Sequence, residues 1–158
     1  DPARADGYET IWLVGTSLGG HGALLYLSRH PEDVDYVVVL APFMADPVTL
    51  DAIQDEGGLA KMGECPGIAW DYACNMLVLI KNFTAIPGNE RRLAIGFGLD
   101  DGFAEQNQLL AEILPQDLVF TVPGGGHDWE TWKLLWDQIL DHIEAKMAER
   151  QAEARKKE

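Results

Sequence analysis

Basic side chains are scarce in this sequence: 12 Lys and Arg stand against 26 Asp and Glu among 158 residues, a formal charge of −14. A protein that competes for phosphates must offer a basic patch that releases counterions, so this balance excludes a nucleic-acid binder and disfavours an anionic membrane surface. No apolar run reaches the ~18–20 residues that span a bilayer, and no basic segment followed by an apolar stretch opens the chain, so no membrane partner is expected. The two cysteines, Cys65 and Cys74, are too few for a disulfide framework and lack the four-ligand spacing of structural zinc. Both are expected as free thiols, a single loop-closing disulfide being the alternative for a secreted protein. The four histidines, His21, His30, His127 and His142, form no His-Glu-x-x-His and no His/Cys cluster. His30 precedes Pro31 at a helix end and His142 lies in a charged helix, neither with a nearby ligand set, so no metal and no other cofactor is expected. The chain opens on Asp1 rather than methionine, which reads as a processed or partial product and leaves the compartment open, with the cytoplasm favoured.

What is present is a foldable composition, 47% hydrophobic and 9% aromatic. A single domain of this length buries about 68–70% of its unfolded surface. Four short apolar runs, Ile11–Val14, Tyr36–Ala41, Leu93–Phe97 and Leu118–Val122, are bounded by turn residues, and their continuous apolar character is that of strands buried on both faces. Helical spacing fills the intervals: Leu18 to His30, stopped by Pro31; Phe103 to Leu114, stopped by Pro115; and Asp128 onward, with Trp129, Trp132, Trp136, Ile139 and Ile143 on one face. The alternation predicts an α/β fold, a parallel sheet of about four strands with flanking helices. Residues 46 to 88 form a helical insertion without a clear strand, placed where ligand-covering elements sit, with two helices that simply pack on the sheet as the equal alternative. Trp70, Tyr72, Met76 and Phe83 within it suit an apolar or aromatic group. The tail, residues 144–158, reads as a solvated helix end, with Glu153 placed four before Lys157.

Gly15-Thr16-Ser17-Leu18-Gly19-Gly20 follows the first strand directly and opens the first long helix. A serine on a sharp strand-to-helix turn needs small neighbours, which Gly15 and Gly19 supply, and Gly20, Gly22 and Ala23 let the helix approach the sheet. The turn lifts the Ser17 hydroxyl above the sheet edge, with the Leu18 N–H beside it as an oxyanion donor. A serine hydroxyl needs a base and an orienting carboxylate. The third strand runs into Gly98-Leu99-Asp100-Asp101-Gly102, an acid just past its end, and the fourth into Gly124-Gly125-Gly126-His127-Asp128-Trp129, a histidine at the corresponding edge. The order Ser, Asp, His at three strand ends carries the reading. Asp100 and Asp101 are both open as the acid, with Asp-Gly also a turn signal. Around them Thr16 and His21 stand as pocket residues, His21 also being a candidate for plain packing. The Trp129, Trp132 and Trp136 stripe is expected to pack on the sheet, with Trp129 alone close to His127. The glycine fingerprint of a dinucleotide site and the lysine of a phosphate loop are both missing, which excludes nucleotide binding at this turn.

On these motifs the sequence resembles the carboxyl-terminal half of an α/β-hydrolase of the serine esterase/lipase type. Ser-Leu-Gly-Gly with the later Gly-Gly-His-Asp-Trp-x-x-Trp is similar to the putative-esterase group, which includes enzymes cleaving short acyl or aryl esters. The resemblance implies Ser17 as nucleophile, His127 as general base and then acid, Leu18 as one backbone oxyanion donor, and Asp101 rather than Asp100 as the acid, because the group's Gly-x-x-Asp aligns Gly98 with Asp101. It also implies that residues 1–143 are part of a larger domain, whose earlier strands and second oxyanion donor lie outside this segment. That leaves the first strand as an unpaired edge open to self-association. The expected activity is cleavage of a small ester through an acyl-enzyme. A non-catalytic binding module of the same fold, or an inactive fragment of a larger esterase, is the competing reading.

Overall fold

The computed structural model describes residues 2–65 and 72–155. Its centre is a parallel sheet of β1 (Trp12–Thr16), β2 (Tyr36–Leu40), β3 (Leu93–Gly98) and β4 (Val119–Val122), in the order β1-β2-β3-β4. The β-branched run Val37–Val39 is fully buried in β2, and Leu93, Ala94 and Ile95 are equally dry in β3, as continuous apolar strands covered on both faces must be. β1 runs to Thr16, two residues past the expected end, because Gly15 and Thr16 pair with Val39 and Leu40. That extension carries the backbone directly into Ser17.

Around the sheet lie α1 (Pro2–Ala5), α2 (Leu18–Arg29), α3 (Pro47–Asp55), α4 (Tyr72–Thr84), α5 (Ala104–Ala111) and α6 (Trp129–Arg155). α2 packs on β1 and β2, α4 lies along α2, α5 packs on β3, and α6 spans β2 to β4. The helix expected over 103–114 is regular only to Ala111, since the amides of Ile113 and Leu114 turn to carbonyls three residues back, at 3.2 and 3.3 Å. Two acidic caps start helices. Asp46 accepts the Thr49 amide at 3.1 Å and its hydroxyl at 2.7 Å, contacts that hold its carboxyl below the usual range. Asp128 accepts the Thr131 amide at 2.8 Å at the start of α6 and is likewise lowered, first by that bond. α6 buries Trp132, Leu135 and Ile139 and approaches β3 where Gly96 leaves room, a Cβ there falling 3.2 Å from that of Leu135. It passes residue 143 without a break, and Lys157 lies outside the described residues. On β1, Trp12 and Val14 remain 38% and 47% exposed.

The insertion over 46–88 consists of α3 and α4 within the described residues. Met76 and Phe83, expected to suit a bound group, are instead core: Met76 is buried in α4 and the Phe83 ring lies under the Arg92 guanidinium, 5.0 Å from its centroid. Trp70 lies outside the described residues. The cysteines also depart from expectation. Cys65 and Cys74 are joined in a disulfide, with Cα atoms 5.9 Å apart, rather than standing as free thiols. A cysteine count rules out a framework of bridges but cannot see one bridge from Cys65 to the first turn of α4. Replacing both by alanine is predicted to lower stability by about 2.5–3 kcal/mol, the chain-entropy value for a loop with this sequence separation of 9. Urea unfolding of the double variant beside wild type reads this, and coincident midpoints would refute it.

Candidate active site

Ser17 sits between β1 and α2 with φ 51° and ψ −121°, a conformation that side chains other than glycine's rarely adopt and that costs about 1–3 kcal/mol. Its neighbours hold it there. The Ser17 amide donates to Leu40 O at 2.9 Å, and its carbonyl accepts from the amides of His21 and Phe43 at 3.2 and 3.1 Å. Ala41, at φ 45° and followed by proline, is the second strained residue, at the adjacent end of β2. Gly15 is indispensable for this turn, since a Cβ there would stand 2.3 Å from Gly19 O. Gly20 faces Pro42, with a built Cβ 2.8 Å from the proline's own. At Gly22, by contrast, an added Cβ meets nothing within 4 Å, so the expectation that it lets the helix approach the sheet is corrected, and at Gly19, expected as a small neighbour of the serine, an added Cβ likewise meets nothing within 4 Å. The crowded atom at position 19 is its carbonyl.

Although Ser17 is the N-cap of α2, its hydroxyl makes no capping bond. It lies 2.8 Å from His127 Nε2 instead. On the other side of the imidazole, His127 Nδ1 lies 2.8 and 3.1 Å from the two Asp101 oxygens. The Asp101 carboxylate is fully buried and takes a further bond from the Phe103 amide at 2.8 Å, whereas 32% of the His127 side chain is exposed. With Asp101 as acceptor, Nδ1 carries the proton and the Nε2 lone pair faces Ser17 Oγ. Asp100 is exposed, and it contributes through its amide, which donates to Gly125 O at 3.0 Å. Leu18 opens the first turn of α2, where amides have no acceptor inside the helix. Its own side chain is 70% exposed.

Thr16 ends β1 half-buried beside Leu40. His21 is buried, its Nδ1 3.0 Å from Phe43 O and its ring edge-on to Tyr72, 5.7 Å between centroids. It packs between Phe43 and Tyr72, one turn after the serine. Trp129, expected to be the one tryptophan close to His127, is 68% exposed and touches Trp132, and it is Trp132 whose ring meets the imidazole, 5.0 Å between centroids at 88°. The Asp128 cap fixes the start of α6, which turns Trp132 inward and Trp129 outward. Phe103 is a second residue that spacing did not single out, with its ring 4.9 Å from the imidazole. The only signal available was its place two residues after the acid. One surface cluster also departs from expectation, for His30, Glu32 and Asp33 bring donor atoms within 4.8 Å of one another. These groups are solvent-facing, and Asp33 accepts the Tyr26 hydroxyl at 2.8 Å. Two cavities, of about 540 Å³ beside Arg91 and His142 and about 630 Å³ between α3 and α5, are lined by none of Ser17, Asp101 and His127.

The family model described as Putative esterase matches residues 3–143. The chain belongs to that family. Among solved structures, this Putative esterase member is similar to an α/β-hydrolase from the metagenome of lagoon sediments at Mar Chica, Morocco, with 19% identity and TM-score 0.53 over 93% of this chain and 66% of that one. It is also similar to the peroxisomal α/β-hydrolase Lpx1 of Saccharomyces cerevisiae, with 16% identity and TM-score 0.54 over 90% and 56%. A third is CarC, a serine hydrolase involved in carbazole degradation, with 15% identity and TM-score 0.52 over 90% and 67%. The fold is that of the α/β-hydrolases. The chain spans 56–67% of the length of these three structures. No curated protein matches its sequence.

Proposed function

We propose that this segment carries the nucleophile, base and acid of a serine esterase acting on small carboxylic esters. What supports the reading is the unbroken hydrogen-bonded line from Ser17 Oγ through His127 to Asp101, at 2.8 Å on each side of the imidazole, in a member of the Putative esterase family. The Ser17 hydroxyl attacks the ester carbonyl as His127 Nε2 takes its proton, and Asp101 stabilises the imidazolium that results. The tetrahedral oxyanion receives the Leu18 N–H, and its second donor comes from outside the described residues. Return of the proton from Nε2 to the alkoxide expels the alcohol and leaves an acyl-Ser17. Water, deprotonated by the same nitrogen, then releases the acid and restores the serine. Loss of one oxyanion donor costs about 10²–10³ in rate. The covalent step is therefore a sharper test than turnover.

The intact mass of the chain after treatment with a fluorophosphonate, followed by peptide mapping, reads that step. One adduct on Ser17, lost in His127→Ala, is the expected result. A chain folded by circular dichroism that gains no adduct, or one labelled equally without His127, would overturn the reading.

A further inference from the structure

Phe103 touches two members of this line and reaches the third through Phe43. It is half-buried just before α5. Its amide donates to Asp101 Oδ1 at 2.8 Å, and its ring stands at 75° to the His127 imidazole with centroids 4.9 Å apart. The same ring meets that of Phe43 at 64° and 5.8 Å, and the Phe43 amide holds the Ser17 carbonyl at 3.1 Å. Trp132 is the second ring in contact with the imidazole.

The base needs such a brace. His127 follows Gly124, Gly125 and Gly126, the backbone with the least stiffness of its own. The Asp101 bond fixes one nitrogen, but the ring can still pivot about that contact, and a pivot swings Nε2 away from Ser17. Two aromatic rings nearly perpendicular to the imidazole close off that motion in a way that a branched aliphatic side chain does not. A shift of about 1 Å in a reacting group costs up to about 10²-fold in rate.

We infer that Phe103 is a positioning residue for the proposed ester cleavage: its amide orients the Asp101 carboxylate, and its ring, with Trp132 as the second contact, holds the His127 imidazole on Ser17. The inference rests on the esterase reading and adds a residue to it. Phe103→Leu and Phe103→Met keep the amide and most of the apolar volume while removing the flat ring, and Phe103→Tyr keeps the ring. In fluorophosphonate labelling, the leucine and methionine variants should lose about 10- to 100-fold in the maximal rate at Ser17, with half-saturation within about twofold of wild type, and tyrosine should restore the rate. An unchanged rate in Phe103→Leu, a loss confined to half-saturation, or a tyrosine variant as slow as leucine would each overturn the inference.

A second readout does not depend on reactivity. In wild type and Phe103→Tyr, the Nδ1 proton of His127 shared with Asp101 should give a slowly exchanging downfield proton resonance, broadened in Phe103→Leu and Phe103→Met. Its persistence in those variants refutes the brace whatever the labelling shows. The expected resonances without labelling of wild type would instead sink the esterase reading and leave the brace standing.

Discussion

Asparagine at position 101 should slow the reaction of Ser17 with a fluorophosphonate by about 10⁴-fold, while asparagine at position 100 should leave it within about twofold of wild type. The contrast follows from what each side chain touches. Asp101 is fully buried and accepts from both His127 Nδ1 and the Phe103 amide. A carboxylate can only accept, so it selects the imidazole tautomer with hydrogen on Nδ1 and an open lone pair on Nε2. A carboxamide of the same shape keeps its oxygen for the Phe103 amide and turns its NH₂ toward Nδ1. That selects the opposite tautomer, with Nε2–H pointing at Ser17 Oγ and no site for its proton. The fold has no reason to change, because the shape and the Phe103 bond survive. Asp100 is exposed and holds Gly125 through its backbone, which asparagine retains. Labelling rates of the two variants by intact mass decide between them, and a slow Asp100→Asn beside a normal Asp101→Asn would reverse the assignment.

The parts of this molecule legible in its sequence are those set by short-range constraints. Val37–Val39 could only be a strand buried on both faces, and Gly15 is required because the backbone of Gly19 occupies the space of its missing side chain. The Ser, Asp, His order was readable because each residue lies just past the carboxyl end of a strand of one parallel sheet, and strands in register deliver their ends to one edge. What escaped depends on rotation or on distant partners. The tryptophan stripe was visible, but its phase was not: a start at the Asp128 cap turns Trp132, not Trp129, toward the imidazole. The pairing of Cys65 with the first turn of α4 at Cys74 is set in three dimensions, which no spacing announces. Met76 and Phe83 were assigned to a pocket by composition alone, and composition does not separate a core-facing aromatic or thioether from a ligand-facing one. Gly22 looked like a contact glycine because it follows Gly19 and Gly20, yet it faces open space.

The glycine with the largest expected effect is Gly98, at the end of β3 and three residues before the acid. Gly98→Ala should cost about 3 kcal/mol or more and should slow labelling of Ser17 at least about 10²-fold in the protein that still folds. An added Cβ would stand 2.1 Å from Gly125 O and 2.4 Å from its carbonyl carbon, against an ordinary contact of 3.4–4 Å. Both obstacles are backbone, so no rotamer change relieves them. Gly125 has little room to retreat, because it is hemmed by Thr131 and Val122, and its carbonyl accepts the Asp100 amide at 3.0 Å. Moving it by the required ångström or more breaks that bond and carries His127, two residues on, away from Asp101. Gly22→Ala is the control within the same fold: it meets nothing within 4 Å in the middle of α2 and should raise stability by up to about 1 kcal/mol, with labelling unchanged. Urea midpoints and labelling rates of the two variants measure both effects. If Gly98→Ala matched wild type in both, the close contact between the β3 end and the histidine loop would not exist, and the alignment of Asp101 with His127 would need another cause.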